Sequence, residues 1–321
     1  MIDPLLEVLR SVRLKGGVFL DARFTAPWCV HTNIVAEDCG AFPVKPPLLI
    51  AYHFVIAGKV LVSVAGEPTL DVRAGELVLL PRNDVHTLAS GTGLVPVSAR
   101  HLIQPSADGG LAKISHGGGG EPAQIVCGFL GSEDPYNPLI ATLPRILKLD
   151  VREGVSREWV EASVRYAAGE LTAGRFASSS LMARLSELLF VEAIRQYSAT
   201  FSDQEAGWLK GVVDPQVGRA LAAIHHNITS PWSADSLAKE VSMSRSAFVD
   251  RFTTLVGMPP IRYLTVWRLQ AAKRSLRETS KTIAQLAQEV GYGSDEAFSR
   301  AFKREFGLSP SRWRDQQTDA R

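Results

Sequence analysis

LAKEVSMSRSAFVDRFTTLVGMPP (237–260) and LAQEVGYGSDEAFSRAFKREFGLSP (286–310) are two copies of one pattern. Ser244 and Ser294, Phe248 and Phe298, Phe252 and Phe302, and Gly257 and Gly307 are each 50 residues apart. LAKEV and LAQEV are 49 apart, because the second turn holds one residue more. Each copy reads as a short helix, a tight turn, a serine N-cap and a longer helix that stops at glycine, which is the helix-turn-helix plan. One such match arises by accident; two in register with matching caps do not.

The helical wheel assigns the faces. Phe248, Phe252 and Leu255 fall at i, i+4 and i+7, as do Phe298 and Phe302 at i and i+4 with Phe306 beyond, and these are expected to face the core. The opposite stripe carries Ser246, Val249, Asp250 and Thr253 in one copy and Glu296, Ser299, Arg300 and Lys303 in the other. Those eight are the candidate DNA-binding residues. Arg300 suits a guanine or a phosphate, whereas Asp250 and Glu296 either accept from a cytosine amino group or tune local charge. Between the copies, 261–277 (IRYLTVWRLQAAKRSLR) reads as one helix, with Arg262, Arg268, Lys273, Arg274 and Arg277 among its polar positions. Its length of about 26 Å lets the two longer helices reach successive major grooves about 34 Å apart.

Charge supports this placement. The whole chain carries +2, but residues 1–213 sum to −3 and residues 214–321 to +5. Only the C-terminal third is built for a polyanion.

Residues 15 to about 130 read as β structure, in short apolar runs broken by Gly, Pro and Asn. Leu48–Gly66 is long and apolar enough to raise a membrane span. His53, Lys59 and the Gly58-Lys59 turn make a hairpin of two buried strands the better reading. Cys29, Cys39 and Cys127 form no CxxC pair, which suits a reducing cytoplasm without a disulfide framework. The N-terminus does not read as a signal peptide. SSSLMARLSELLFVEAIRQY (178–197) is a helix whose apolar arc includes Leu181, Met182, Leu185, Leu188, Leu189, Phe190, Val191 and Ile194. That arc is too wide for one face, so the helix either wedges between domains or makes a dimer contact.

Residues from about 208 to 315 resemble the AraC/XylS-type DNA-binding domain. DPQVGRALAAIHH, LAKEVSMSRSAFVDRF, PPIRYLTVWRLQAAKRSL and IAQLAQEVGYGSDEAFSRAFKREFGLSPSRWR carry the resemblance. It implies bacterial transcription control, often activation, through contact with RNA polymerase. Ser242 stands where the first turn usually has glycine, and Asp250 where a basic residue is frequent. The N-terminal region resembles a cupin-type sensor through APWCV (26–30), LIAYHFV (49–55), AGELVLLPRNDVH (74–86), CGF (127–129) and PLIATLP (138–144). Gly75, Pro81 and His86 trace the second cupin motif, with Asn83 in place of a glycine; asparagine tolerates the same turn.

In the first cupin motif, metal-binding members place H-x-H-x3-E. Here those positions hold His53, Val55 and Lys59, so a cation replaces the carboxylate and the set makes a poor octahedral site. His53 and His86 are then either satisfied interior residues or, with Lys59, the lining of an effector pocket suited to an anion. Cys127 and His31 are the substitute ligands that would revive a metal site.

The expected fold is α+β with two domains. A cupin-like β-barrel or sandwich spans 1–135, a helical connector or dimerisation region 136–205, and an all-α double helix-turn-helix domain 206–321. The expected function is a sequence-specific transcription regulator, not an enzyme, without a cofactor or metal. Its expected partners are double-stranded DNA, RNA polymerase, a small-molecule effector and a second copy of itself. A cupin metalloenzyme with an attached nucleic-acid module is the competing reading.

Overall fold

In the computed structural model, the described residues are 5, 14–35, 46–104, 112–132, 138–150, 179–202 and 207–319. The chain divides into two compact units, residues 13–200 and residues 201–321 with 1–12.

The first unit is a two-sheet sandwich. Its strands are β1 (Lys15–Thr25), β2 (Cys29–Thr32), β3 (Leu48–Ala57), β4 (Lys59–Val64), β5 (Leu70–Arg73), β6 (Glu76–Leu80), β7 (His86–Ala89), β8 (Val97–Ser98), β9 (Ala112–Gly117), β10 (Pro122–Ser132) and β11 (Leu147–Asp150). Six strands run in the order β11-β6-β3-β10-β1-β9, and five in the order β5-β4-β7-β2-β8. Neither sheet closes on itself, so of barrel and sandwich the structure is the sandwich. Alternation builds the interior: Val60, Val62 and Val64 of β4 turn inward to meet Ala51 and Val55 of β3 and Ile125 and Phe129 of β10. The 48–66 stretch forms two buried strands but not the expected hairpin: β3 pairs with β10 and β6 in one sheet and β4 with β5 and β7 in the other, the chain crossing between them at Gly58 (φ +78°), where a side chain would collide with the Pro122 carbonyl. Among the described residues no helix is long and apolar enough to cross a membrane.

Among the described residues, two α-helices belong to this unit, α1 (Pro138–Thr142) and α2 (Ser179–Ala199). The latter packs on β1, β10 and β11, burying Leu189, Phe190, Ala193 and Ile194. Tyr52 Oη lies 2.7 Å from Ser186 Oγ, and Gln196 Nε2 donates to the Asp150 carbonyl at 3.0 Å. Part of the wide apolar arc is therefore covered by the helix's own sheet. The side chains of Leu181, Met182 and Leu185 lie outside the described residues, as do Cys39 and 203–206. Cys29 and Cys127 are buried free thiols.

The second unit is helical: α3 (Trp208–Val213), α4 (Val217–His226), α5 (Ala234–Glu240), α6 (Arg245–Val256), α7 (Pro260–Glu278), α8 (Ile283–Glu289), α9 (Asp295–Phe306) and α10 (Pro310–Asp319). The connector α7 is shared. Its first half packs Tyr263 on Phe252 and Trp267 on His225, while Leu269, Ala272 and Leu276 of its second half join Leu286, Phe298 and Phe302.

Candidate nucleic-acid interface

α5–α6 and α8–α9 are built alike, bond by bond. Ser233 accepts from the Ser236 amide at 3.1 Å, and Thr282 from the Gln285 amide at 3.2 Å; each is answered by the reverse bond of a capping box. At the turns, Ser242 N–H donates to Lys239 O and Met243 N–H to Ala238 O; Gly291 and Tyr292 donate to Gln288 O and Ala287 O in the same way. This is a Schellman closure, which puts its C′ residue in the left-handed region: Ser242 at φ +58° and Gly291 at +80°. The serine substituted for glycine keeps the turn but carries strain of about 1 kcal/mol. Ser244 and Ser294 cap α6 and α9 through the amides of Ala247 and Ala297, and Gly257 and Gly307 end them in the left-handed conformation.

Those caps fix the helix faces. Phe248, Phe252, Phe298 and Phe302 are fully buried, with edge or tilted ring contacts of 5.6 and 5.7 Å within each pair. Leu255 and Phe306 are only half-buried; at the end of α6 it is Val256 that is buried instead. On the other side, Ser246, Asp250, Glu296, Arg300 and Lys303 are exposed, and Val249, Thr253 and Ser299 half-buried. Two of these have local duties. Thr253 Oγ1 donates to the Val249 carbonyl at 2.7 Å. The Glu296 carboxylate is held below its usual range first by its own backbone amide and then by the Ser294 hydroxyl, so it serves the N-terminus of α9.

Other groups were not singled out by sequence. Arg245 stands exposed in the first turn of α6, 3.8 Å from Asp235. Arg251 is tied to Asp214 at 2.5 Å, and Asp214 also accepts from the Gln216 and Val217 amides at the start of α4. Burial raises the Asp214 carboxyl, but the Arg251 guanidinium and these amides outweigh it and hold the group low. Tyr263 Oη accepts from Trp208 Nε1 and lies 2.8 Å from His225 Nε2; burial pushes His225 down to about 3.

In the sandwich, the cupin-motif residues separate. His53 and His86 meet in the interior, Nε2 to Nε2 at 2.6 Å, and His53 Nδ1 lies 3.0 Å from Cys127 Sγ. His86 Nδ1 lies 2.8 Å from the Asp84 carbonyl and must donate to it. That bond fixes the neutral chain: Cys127 donates to His53 Nδ1, His53 Nε2–H to His86 Nε2, and His86 Nδ1–H to Asp84 O. Burial, then the neighbouring His86, holds His53 far below its usual pKa; burial lowers His86, against the pull of Asp84; and burial raises the Cys127 thiol.

Lys59 is not part of this group. It opens β4 on the outward side of the alternation, more than half exposed and 3.4 Å from Asp71. His31 is half-exposed on β2. Among the described residues no three His, Cys, Asp or Glu side chains are grouped to hold a metal. Asn83 takes the expected left-handed turn (φ +52°) and bonds both polar groups of the Ile34 backbone at 2.8 Å. A cavity of about 410 Å³ opens at the ends of β1, β3, β9 and β10, with Arg23, Phe24, His116 and Gln124 on its walls.

Residues 3–199 match a cupin family and residues 237–316 a helix-turn-helix domain family. A putative AraC-like transcription regulator of Streptomyces lividans is 29% identical over 99% of both chains. The HTH-type transcriptional regulator AlkR of Acinetobacter baylyi is 28% identical over 98% of this chain and all of its own. A solved AraC-type DNA-binding-domain protein from Chromobacterium violaceum is 31% identical, covering 32% of this chain and 92% of its own, with a TM-score of 0.31. The chain belongs to the AraC/XylS-type DNA-binding transcription regulators that carry an N-terminal cupin domain.

Proposed function

We propose that α6 and α9 enter adjacent major grooves on one face of double-stranded DNA, so that a single chain reads a bipartite site beside a promoter. The observation that carries this is the duplicated unit, in which matching caps and turn bonds turn equivalent polar stripes away from equivalent phenylalanine cores. The nineteen-residue α7 spans about 28 Å, and the widths of the flanking helices extend the reach to the groove spacing of about 34 Å. Arg300 is assigned to a guanine edge and Lys303 to a phosphate, with Ser246, Val249, Asp250 and Thr253 reading the other groove beside Glu296 and Ser299 in theirs.

In this reading RNA polymerase is the partner at the promoter and the outcome is activation. In support, RclR of Escherichia coli, 25% identical over 83% of this chain, is named an RCS-specific HTH-type transcriptional activator. The protein acts in the cytoplasm and performs no catalysis: its relatives are named regulators, and its two motif histidines are engaged with each other and with Cys127 rather than facing an open site. The same geometry favours the interior-residue role for His53 and His86 over an effector pocket shared with Lys59. A small-molecule effector fits better in the cavity at the strand ends, where Arg23 and His116 flank an apolar wall. A second copy of the chain is not needed for a two-groove site; sedimentation with and without DNA tests for it.

Footprinting of the full chain on DNA flanking its gene tests the proposal. Two protected major grooves about one helical turn apart are expected. Protection without a preferred site, or of one groove only, overturns it.

A further inference from the structure

The apolar stripe of α7 changes owner at one residue. Trp267, on one side of it, packs on His225 beside the first helix-turn-helix, and Leu269, on the other, belongs to the core of the second helix-turn-helix. Between them stands Arg268, and its guanidinium binds neither an acid nor solvent alone. Nε donates to Ile228 O at 2.6 Å and Nη2 to Ser230 O at 2.7 Å, both in the loop that leads into α5. Nη1 donates to Gly291 O at 3.1 Å, in the turn between α8 and α9. One planar fork thus joins the entrance of one helix-turn-helix to the turn of the other. The two segments also touch directly: a methyl group on Gly291 would lie 2.8 Å from both the Thr229 carbonyl and Arg268 Nη2. The loop side is itself braced, since Asn227 accepts from the amides of Thr229 and Ser230 and its carbonyl accepts from Trp232 Nε1.

We infer that Arg268 is a positioning residue for DNA reading: by clamping three carbonyls from both units it fixes the distance and angle between α6 and α9, and so the spacing of half-sites the protein accepts. A planar guanidinium with donors in a fixed fork suits this; an ammonium, with one nitrogen, cannot reach both sides at once. Each unit has its own phenylalanine core, so loosening the joint leaves each able to enter a groove. What is lost is the pre-set geometry that makes binding of the second groove nearly intramolecular once the first is engaged.

This rests on the two-groove reading, and the test separates the two. The full chain and its R268M and R268K variants are titrated against three synthetic duplexes: the wild-type footprint, the same duplex with one half scrambled, and the same duplex with one base pair inserted between the halves. The wild-type chain is expected to prefer the intact site over the scrambled one by about a hundredfold and to lose about tenfold on insertion. R268M is expected to bind the half-site within about twofold of wild type, to lose most of the preference for the intact site, and to respond to the insertion by less than about threefold, with R268K intermediate. An equal loss on all three duplexes in both variants would show that Arg268 merely holds the fold together, and wild-type discrimination in both would show that it does not set the spacing; either overturns the inference. A wild-type chain indifferent to the scrambled half overturns the two-groove reading itself.

Discussion

Acidification should loosen the sandwich, and its size follows from His53. In the folded chain this imidazole is enclosed between the sheets, faces another imidazole and stays neutral; in the unfolded chain it titrates near 6.5. Its pKa is lowered by folding, so the unfolded chain takes up a proton that the folded chain refuses. The stability it permits is complete above pH 6.5 and falls as the pH drops below that value. Between pH 7.5 and 5.5 the uptake removes about 1.4 kcal/mol of stability, and the lowered pKa of His86 adds to the loss in the same direction. Native-state hydrogen exchange on the full chain reads this locally, through the opening free energies of amides in β3, β7 and β10 after correction for intrinsic rates. Those amides should lose at least about tenfold in protection beyond the intrinsic effect, and His53→Gln, which cannot titrate, should show a smaller pH dependence. Equal opening free energies at the two pH values, or an unchanged slope in the variant, would refute the neutral chain from Cys127 to Asp84.

Arg300→Ala should weaken specific binding by about 1–3 kcal/mol and relax preference at one base position, seen by competition with single-base variants of the footprint. Phe302→Ala empties a fully buried site in the second unit and should cost about 3–5 kcal/mol in urea unfolding, while Phe306→Ala, at a half-buried site, should cost distinctly less. Ser242→Gly relieves the left-handed serine and should raise the melting temperature of the DNA-binding unit, with a gain of about 1 kcal/mol. Asp214→Ala removes the amide acceptor at the start of α4 and the partner of Arg251, and should destabilise that unit by about 1–2 kcal/mol in the same assay.

The DNA-binding half was legible in the sequence because its determinants are local. Caps, turn glycines and the phenylalanine spacing all act within one or two helical turns, so Ser244, Gly257, Phe248 and Phe252 state the fold where they stand. Even the misplaced emphasis on Leu255 is a local matter, since near the C-terminus of α6 the buried face has moved on to Val256. Arg268 was visible only as one polar position on a connector. Its three acceptors lie 23 to 40 residues away, and no periodicity reports a bond to a loop carbonyl.

The sandwich was harder for the same reason in stronger form. Counting along the cupin motif put Lys59 in line with His53, but alternation does not survive a left-handed turn. Gly58 carries the chain from one sheet to the other, after which Val60, Val62 and Val64 take the inward side and Lys59 points out. The partners that His53 does have come from across strands: Cys127 sits opposite it on β10, 74 residues on in sequence, and His86 arrives from the other sheet. An acidic or cationic neighbour at that point would leave an unpaired charge in a valine and leucine interior, whereas a thiol and two imidazoles can pass neutral hydrogen bonds along a line and end at a backbone carbonyl. The absence of the motif's carboxylate and the presence of a thiol opposite His53 therefore fit together: this sandwich satisfies both histidines internally, in hydrogen bonds that need no charge.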